Sequence, residues 1–303
     1  MLLLTACTAP AQPESGYSFT DSTGAVVSLE ETPQKVAVLF SSYAEVWTLA
    51  GGTVGVTVGE SVERGFVPQE TPLVDGGAGK TVDMERLLAE EPDFVIGSAD
   101  IPAQVEACEA AAQAGIPAAL FQVDTLEDYL SMLKICTDIT GNAQAYQTYG
   151  TQVAEDVQKI LRKVQAVQSE PKKILFIRAG SQYSATKAKR APENFVCIML
   201  EELGAYNIAD EAQVLLDGLS LEEILLQDPD CIFLTTMGQE EAAVSYIQTL
   251  FSQDGWKDLT AVKNEQYIFL NKELFHYKPN AKWAQAYRLL AQQLYPELNF
   301  DET

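Results

Sequence analysis

The chain has 303 residues, 47% of them apolar, enough for one or two domains with well-buried cores. Its 43 acidic residues against 20 basic ones leave a net charge of −23, a surface that repels nucleic acid and anionic lipid. A nucleic-acid partner is excluded on that ground, and after residue 4 no apolar run approaches the ~20 residues of a membrane span.

The first seven residues, Met-Leu-Leu-Leu-Thr-Ala-Cys, read as the end of an apolar signal segment closing on small residues. Leu4-Thr5-Ala6-Cys7 resembles the lipobox of bacterial lipoproteins. That resemblance implies that Cys7 is acylated and that the membrane is met only through its lipid. Residues 8–16, polar and proline-rich, then read as a tether, so 1–16 is assigned to signal remnant and tether. Cys108, Cys136, Cys197 and Cys231 show neither CxxC nor metal-ligand spacing and sit inside apolar patterns, so buried free thiols are expected.

Tyr17 to Leu29 predicts a hairpin turning at Asp21–Gly24. Lys35–Phe40 predicts a buried strand, after which Ser41 and Ser42 are expected to cap a helix that Gly51-Gly52 ends. Thr53–Val58 is a second strand, followed by a loop holding Arg64, Gly65, Phe66 and Pro68. Val82–Glu90 reads as helix, Phe94–Ile96 as strand, Pro102–Ala114 as helix, Ala118–Gln122 as strand and Leu126–Thr140 as helix, broken by Gly141.

From Ala143 to Gln168 the apolar residues Tyr146, Tyr149, Val153, Val157, Ile160, Val164 and Val167 recur at i+3 and i+4 steps, with charged and amide residues opposite. One helix over this stretch would span about 39 Å and is expected to act as a strut between two lobes. Beyond it come strands at Lys173–Arg178, Cys231–Thr235 and Tyr267–Leu270, and helices at Glu193–Leu203, Ser220–Leu226, Glu240–Phe251 and Asn280–Leu294. Alternating strands and helices imply an α/β fold, two Rossmann-like lobes (17–142 and 169–303) with mainly parallel sheets, joined by one long helix (143–168). Ligands of such sheets lie beyond the carboxyl ends of the strands, so the loops after Phe40, Ile96, Gln122, Arg178, Thr235 and Leu270 are expected to line a common cleft.

An internal echo supports the paired plan. Val82-Asp-Met-Glu-Arg-Leu-Leu-Ala-Glu-Glu-Pro-Asp-Phe-Val-Ile96 parallels Leu219-Ser-Leu-Glu-Glu-Ile-Leu-Leu-Gln-Asp-Pro-Asp-Cys-Ile-Phe233 at a constant offset of 137. Each copy reads as a short capped helix (Asp83 in one, Ser220 with Glu223 as a capping box in the other) that feeds a strand through Pro-Asp.

The Asp21–Gly24 hairpin, the two Glu…Pro-Asp segments, the long helix after Ile139-Thr-Gly141 and the ending Trp256-Lys-Asp-Leu-Thr-Ala-Val-Lys-Asn264 resemble one family, in order and from Tyr17 to Pro296. It is the iron-siderophore, haem and cobalamin type of substrate-binding protein that serves ABC importers. The resemblance implies a ligand held between two α/β lobes, modest closure about a helical hinge, and no catalysis. It implies delivery to a permease dimer with its ATPase, with Glu85 and Glu222 docking on permease arginines. A monomer with no cofactor of its own is expected, its ligand a ferric siderophore or related iron chelate, with haem or cobalamin as the alternative.

The candidate contacts follow from the strand-end rule. His276, the sole histidine, lies beyond the strand ending at Leu270, beside Tyr277 and Lys278; Met237 and Tyr43 follow the strands ending at Thr235 and Phe40. If the ligand is haem, the resemblance makes His276 an axial-ligand candidate. Arg178, Lys187, Lys189 and Arg190 concentrate basic charge beside Ser184 and Thr186, and Arg64 offers a matching contact in the first lobe, all suited to an anionic ligand. Enzyme readings fare worse. Gly76-Gly-Ala-Gly-Lys-Thr81 misses the first glycine of a P-loop, which falls at Val74, and no GxSxG accompanies His276. A chelatase or nitrogenase-like enzyme on a similar scaffold remains the rival class, although it would need a cluster of titratable groups or Cys ligands. Metal should arrive already chelated, since bare zinc or manganese sites usually draw on several histidines.

Overall fold

The computed structural model describes residues 16–76, 81–167, 170–215 and 218–300. The Cys7 acylation expectation and the tether through residue 15 lie outside them, as do residues 77–80 of the glycine-rich stretch. The chain divides into two compact units. The first holds the chain up to Gln122 together with Asp138–Gly141; the second holds Val123–Thr137 and the chain from Asn142 onward.

In the first unit, β1 (Tyr17–Thr20) and β2 (Val26–Leu29) form the expected antiparallel hairpin. Asp21 Oδ1 organises its turn, accepting from the Thr23 amide (2.9 Å), the Thr23 hydroxyl (2.7 Å) and the Ala25 amide (3.0 Å). The second oxygen accepts from the Leu120 amide at 3.0 Å, which hangs the hairpin on the edge of a sheet. That sheet is fully parallel. It comprises β3 (Val36–Val38), β4 (Val54–Thr57), β5 (Phe94–Ser98) and β6 (Ala118–Phe121) in the order β4-β3-β5-β6. Helices α1 (Ser41–Leu49), α2 (Gly59–Glu63), α3 (Met84–Ala89) and α4 (Pro102–Gln113) lie between the strands in sequence. Ala37, Leu39, Val56, Leu87, Val95 and Ala107 pack as one buried cluster.

Helix α5 (Leu126–Thr140), which belongs to the second unit through Thr137, leads to α6 (Ala143–Tyr146), a π turn over Gln147–Thr151, and α7 (Gln152–Gln165). The expected apolar stripe is realised, with Val153, Val157, Ile160 and Val164 buried. The helix is not uniformly α, however, because Gly150 falls in the π turn. A Cβ there would stand 3.1 Å from the Tyr146 ring, so a larger residue would press the ring a few tenths of an ångström aside.

The remaining elements are β7 (Lys173–Ala179), β8 (Lys187–Ala188), α8 (Phe195–Glu202), β9 (Tyr206–Asn207), α9 (Leu221–Gln227), β10 (Cys231–Thr236), α10 (Glu240–Phe251), α11 (Thr260–Lys263), β11 (Tyr267–Phe269), α12 (Lys272–Phe275) and α13 (Trp283–Leu294). The stripe on α7 packs against α13. The sheet runs β11-β10-β7-β8, parallel except for β8, while β9 pairs parallel with the start of β7.

The echo at offset 137 is a structural repeat. Just past α3 and α9, Glu91 and Asp228 adopt positive φ (48° and 43°), turning the chain ahead of Pro92 and Pro229. The aspartate that follows then clamps the neighbouring strand. Asp93 accepts from the Lys35 amide at 2.9 Å and its own amide donates to the Lys35 carbonyl at 3.0 Å. Asp230 repeats this with Lys173 at 2.9 and 2.8 Å. Both lysine side chains reach back to the helix ends, to the carbonyls of Glu90 and Gln227. One detail departs from expectation. Asp83 caps α3 through the Arg86 amide at 3.1 Å, whereas Ser220 makes no side-chain cap on α9.

Burial ranks two of these carboxylates. Asp21 is 8% exposed and Asp93 is solvent-exposed. Asp21→Ala is expected to lower unfolding free energy by about 2–3 kcal/mol, and Asp93→Ala by about 1 kcal/mol. Urea unfolding of the two variants checks this; the reverse order would contradict it.

Candidate functional site

At the carboxyl edge of the first sheet, the short helix α2 does what the sequence reads as loop. It places Glu60 and Arg64, four residues apart, against the first residues of α1. Thr57 Oγ1 lies 2.9 Å from the Val38 carbonyl and 2.8 Å from Ser61 Oγ, tying the start of α2 to the end of β3. Arg64 Nη1 then donates to Ser41 Oγ and to Ser42 Oγ, each at 3.2 Å, and the Ser41 hydroxyl donates to the Glu60 carboxylate. The guanidinium carbon stands 4.6 Å from the centre of the Phe66 ring, a cation–π contact. Ser41 and Ser42 are fully buried. Their expected role as helix caps is corrected: Phe40 is the N-cap residue, without a side-chain cap, and the two hydroxyls accept from Arg64.

Tyr43 does not project toward a ligand. It is 1% exposed, its hydroxyl donates to the Phe121 carbonyl at 3.0 Å, and its ring meets Phe40 and Phe121 edge-on. As the third residue of α1 it falls on the face turned to the sheet.

At the corresponding edge of the second sheet, Arg178 and Met237 sit side by side at the ends of β7 and β10, with Arg178 Nε donating to the Met237 sulfur. Of the basic cluster, Arg178 lies near the end of β7, as the predicted strand has it, while Lys189 and Arg190 fall outside the strands. Lys187 lies in β8 opposite Arg178, with its side chain exposed. The Lys189 amide donates to the Phe176 carbonyl at 3.1 Å, and its carbonyl accepts from Asn207 Nδ2 at 2.7 Å.

His276 is exposed at the end of α12, its ring 5.2 Å from that of Tyr277 and edge-on to it; Lys272 stands 5.2 Å over Tyr277. Lys278 is an ion-pair residue, 2.9 Å from Asp124 and 5.1 Å above the Phe195 ring. A cavity of about 940 Å³ opens over the first turns of α10, lined by Gln239, Glu240, Glu241, Ala242, Val244 and Ser245.

Glu85 and Glu222 stand exposed in the first turns of α3 and α9. The cysteines behave as expected. All four are buried free thiols, and burial pushes Cys108, Cys136 and Cys231 up to about 12, so none is a ready thiolate. Sequence reasoning missed Glu60 and the engagement of Ser41 and Ser42 by Arg64; the i, i+4 spacing of Glu60 and Arg64 was the available signal.

Residues 36–274 match the sequence model of the periplasmic binding proteins. The chain belongs to the periplasmic binding protein family. Three solved structures illustrate the shared fold. The haem-binding protein RhuT from Roseiflexus sp. RS-1 is 18% identical, with a TM-score of 0.68 over 87% of this chain and 98% of that one. The vitamin B12 binding protein BtuF of Vibrio cholerae is 16% identical, with a TM-score of 0.70 over 88% and 98%. Staphylococcus aureus SirA, complexed with staphyloferrin B, is 19% identical, with a TM-score of 0.68 over 95% and 100%. No curated protein matches the chain by sequence. Among the described residues, no helix of this periplasmic binding protein is long and apolar enough to cross a membrane.

The Arg64 network yields a stability prediction for this family member. Arg64→Met strips a donor from two buried hydroxyls and is expected to cost about 1–3 kcal/mol, whereas Glu60→Gln keeps an acceptor for Ser41 and should cost under about 1 kcal/mol. Thermal unfolding of both variants measures the difference, and equal losses would contradict the relay.

Proposed function

We propose that the protein is an extracytoplasmic, lipid-anchored receptor. In this reading it captures a ferric siderophore or related iron chelate between its lobes and delivers it to an ABC permease dimer with its ATPase. The observation that carries the proposal is the family match over residues 36–274, which covers the larger sheet of each unit. The named ligands of the similar structures (haem, vitamin B12 and staphyloferrin B) support a bulky ligand, metal-bound or metal-chelating. Contacts are assigned to Arg64, Arg178, Lys187, Lys189, Met237, His276 and Tyr277, all at the ends of sheet strands or in the loops beyond them. Tyr43 and Lys278 are left out, one because it is buried and the other because its charge is already paired. The Arg64 cluster favours an anionic chelate, because a guanidinium held by fixed partners meets a carboxylate with little ordering left to do. Haem is a second reading, favoured by the exposure of His276 beside Tyr277. The protein works as a monomer, without a cofactor and without catalysing a reaction; lobes 17–142 and 169–303 close about the helix of 143–168, and acylated Cys7 holds the receptor at the membrane.

Docking is assigned to Glu85 and Glu222. The repeat extends beyond the acids: Leu88 (37% exposed) and Leu225 (39% exposed) each follow their glutamate by three residues, while Leu87 and Ile224 between them turn into the cores. Each helix therefore offers an acid and an apolar side chain at one step, which suits a partner with two equivalent surfaces. The test is iron accumulation from ferric chelates in source cells lacking the gene and complemented with variants. Glu85→Lys with Glu222→Lys is expected to reduce uptake about tenfold or more while chelate binding by the purified protein is retained. Cys7→Ala is expected to leave the receptor in the soluble fraction. Normal uptake by the double reversal would contradict the docking assignment, and uptake indifferent to deletion of the gene would contradict the receptor itself.

A further inference from the structure

The two copies of the docking segment differ where they meet solvent. At the offset of 137, Glu85 and Leu88 match Glu222 and Leu225, but Arg86 stands against Glu223 and Ala89 against Leu226. Leu226 is 77% exposed, the most open large apolar side chain among the described residues. It follows Glu222 by four residues, one helical turn, so Glu222, Leu225 and Leu226 share a face while Ile224 turns into the core. The same face of α3 offers Glu85, Leu88 and only an alanine.

The charge is unequal too. Arg86 offsets Glu85 on α3, whereas α9 carries Glu222 and Glu223 in its first turn and no basic residue. Among the described residues neither of these two acids forms an ion pair; Glu223 accepts from Gln227 Nε2 at 3.0 Å within the helix. To the lysine contact that both helices share, α9 adds a second brace. The Asp228 carboxylate at its carboxyl end accepts from the Thr260 amide at 2.8 Å and the Thr260 hydroxyl at 2.6 Å. At its start Leu221 packs on the core of the second unit and lies over Gly255, where a Cβ would stand 2.8 Å from Leu221 Cδ2. A helix held at both ends presents its side chains in place and loses little freedom when a partner arrives.

We infer that α9 is the anchoring half of the docking surface, with Leu226 as its anchor, and that it fits a permease surface made of an apolar pocket rimmed by basic side chains. Helix α3 is the weaker half, with the shared acid and leucine but neither the second leucine nor the second acid. This deepens the receptor reading proposed above and rests on it. Burying Leu226 in such a pocket supplies affinity in proportion to the apolar area removed from water, and the paired acids steer the approach. The high exposure of Leu226 lets the side chain be truncated without opening the core.

The test is iron uptake from ferric chelates in source cells lacking the gene and complemented, at receptor levels below saturation, with Leu226→Ala, Leu226→Met, Glu222→Lys or Glu85→Lys. Far-UV circular dichroism and chelate binding by each purified variant verify that fold and ligand capture are retained. Leu226→Ala is expected to lower uptake about fivefold or more, and Leu226→Met, which keeps an apolar side chain of similar size, to stay within about twofold. Glu222→Lys is expected to cost at least about threefold more uptake than Glu85→Lys. A loss of less than about twofold in Leu226→Ala, or a loss in Glu85→Lys equal to or larger than that in Glu222→Lys, would overturn the inference, while reduced uptake by the double reversal would leave the docking assignment standing. Normal uptake by the double reversal would overturn the docking assignment and this inference together.

Discussion

A single carboxylate at a Pro-Asp turn sets the geometry of each sheet. Asp93 immediately precedes β5 and accepts the amide of Lys35, which immediately precedes β3, so the pair Val36–Phe94 is fixed at the first residue of both strands. Asp230 does the same for β10 and β7, starting the pairing at Cys231–Ile174. A slip of one residue would exchange the faces of a strand, and here both faces are buried, so the register has to be settled where the strands begin. The proline ahead of each aspartate ends the preceding helix, and the residues at positive φ make the corner. Helix end, corner and first strand pair form one device used twice. Its consequence lies at the other end of the sheets, where the loops after β4, β7, β10 and β11 carry the candidate contacts.

At those ends the chain, otherwise strongly acidic, concentrates its few cations in different ways. Arg64 is held by neutral hydroxyls that pass the interaction to Glu60, so the guanidinium is positioned through Ser41. Lys278 pairs directly with Asp124, with only 15% of its side chain exposed, and serves structure. A guanidinium already held by fixed partners meets an incoming anion with little ordering left to do.

What could be read from the sequence was whatever left a period or a repeat. The hairpin, the parallel strands, the apolar stripe of Val153, Val157, Ile160 and Val164, and the two Glu…Pro-Asp segments all did so. Helix α2 was missed because five residues are too few to show a helical period. The two-residue strands β8 and β9 are defined by their partners on β7 and have no pattern of their own, so neither could be read from the sequence. Ser41 and Ser42 carry the usual signature of a helix cap, but Arg64, more than twenty residues later, engages their hydroxyls. Tyr43 was placed on the right loop edge, yet which face of α1 it occupies depends on packing against Phe121, which nothing local encodes.

The central claim is that this fold holds a metal chelate. Native mass spectrometry of the receptor isolated from iron-limited source cells tests it most directly. The account predicts a one-to-one adduct whose mass and isotope pattern include iron in a small organic chelate. The bare chain alone, or an adduct free of metal, would contradict it.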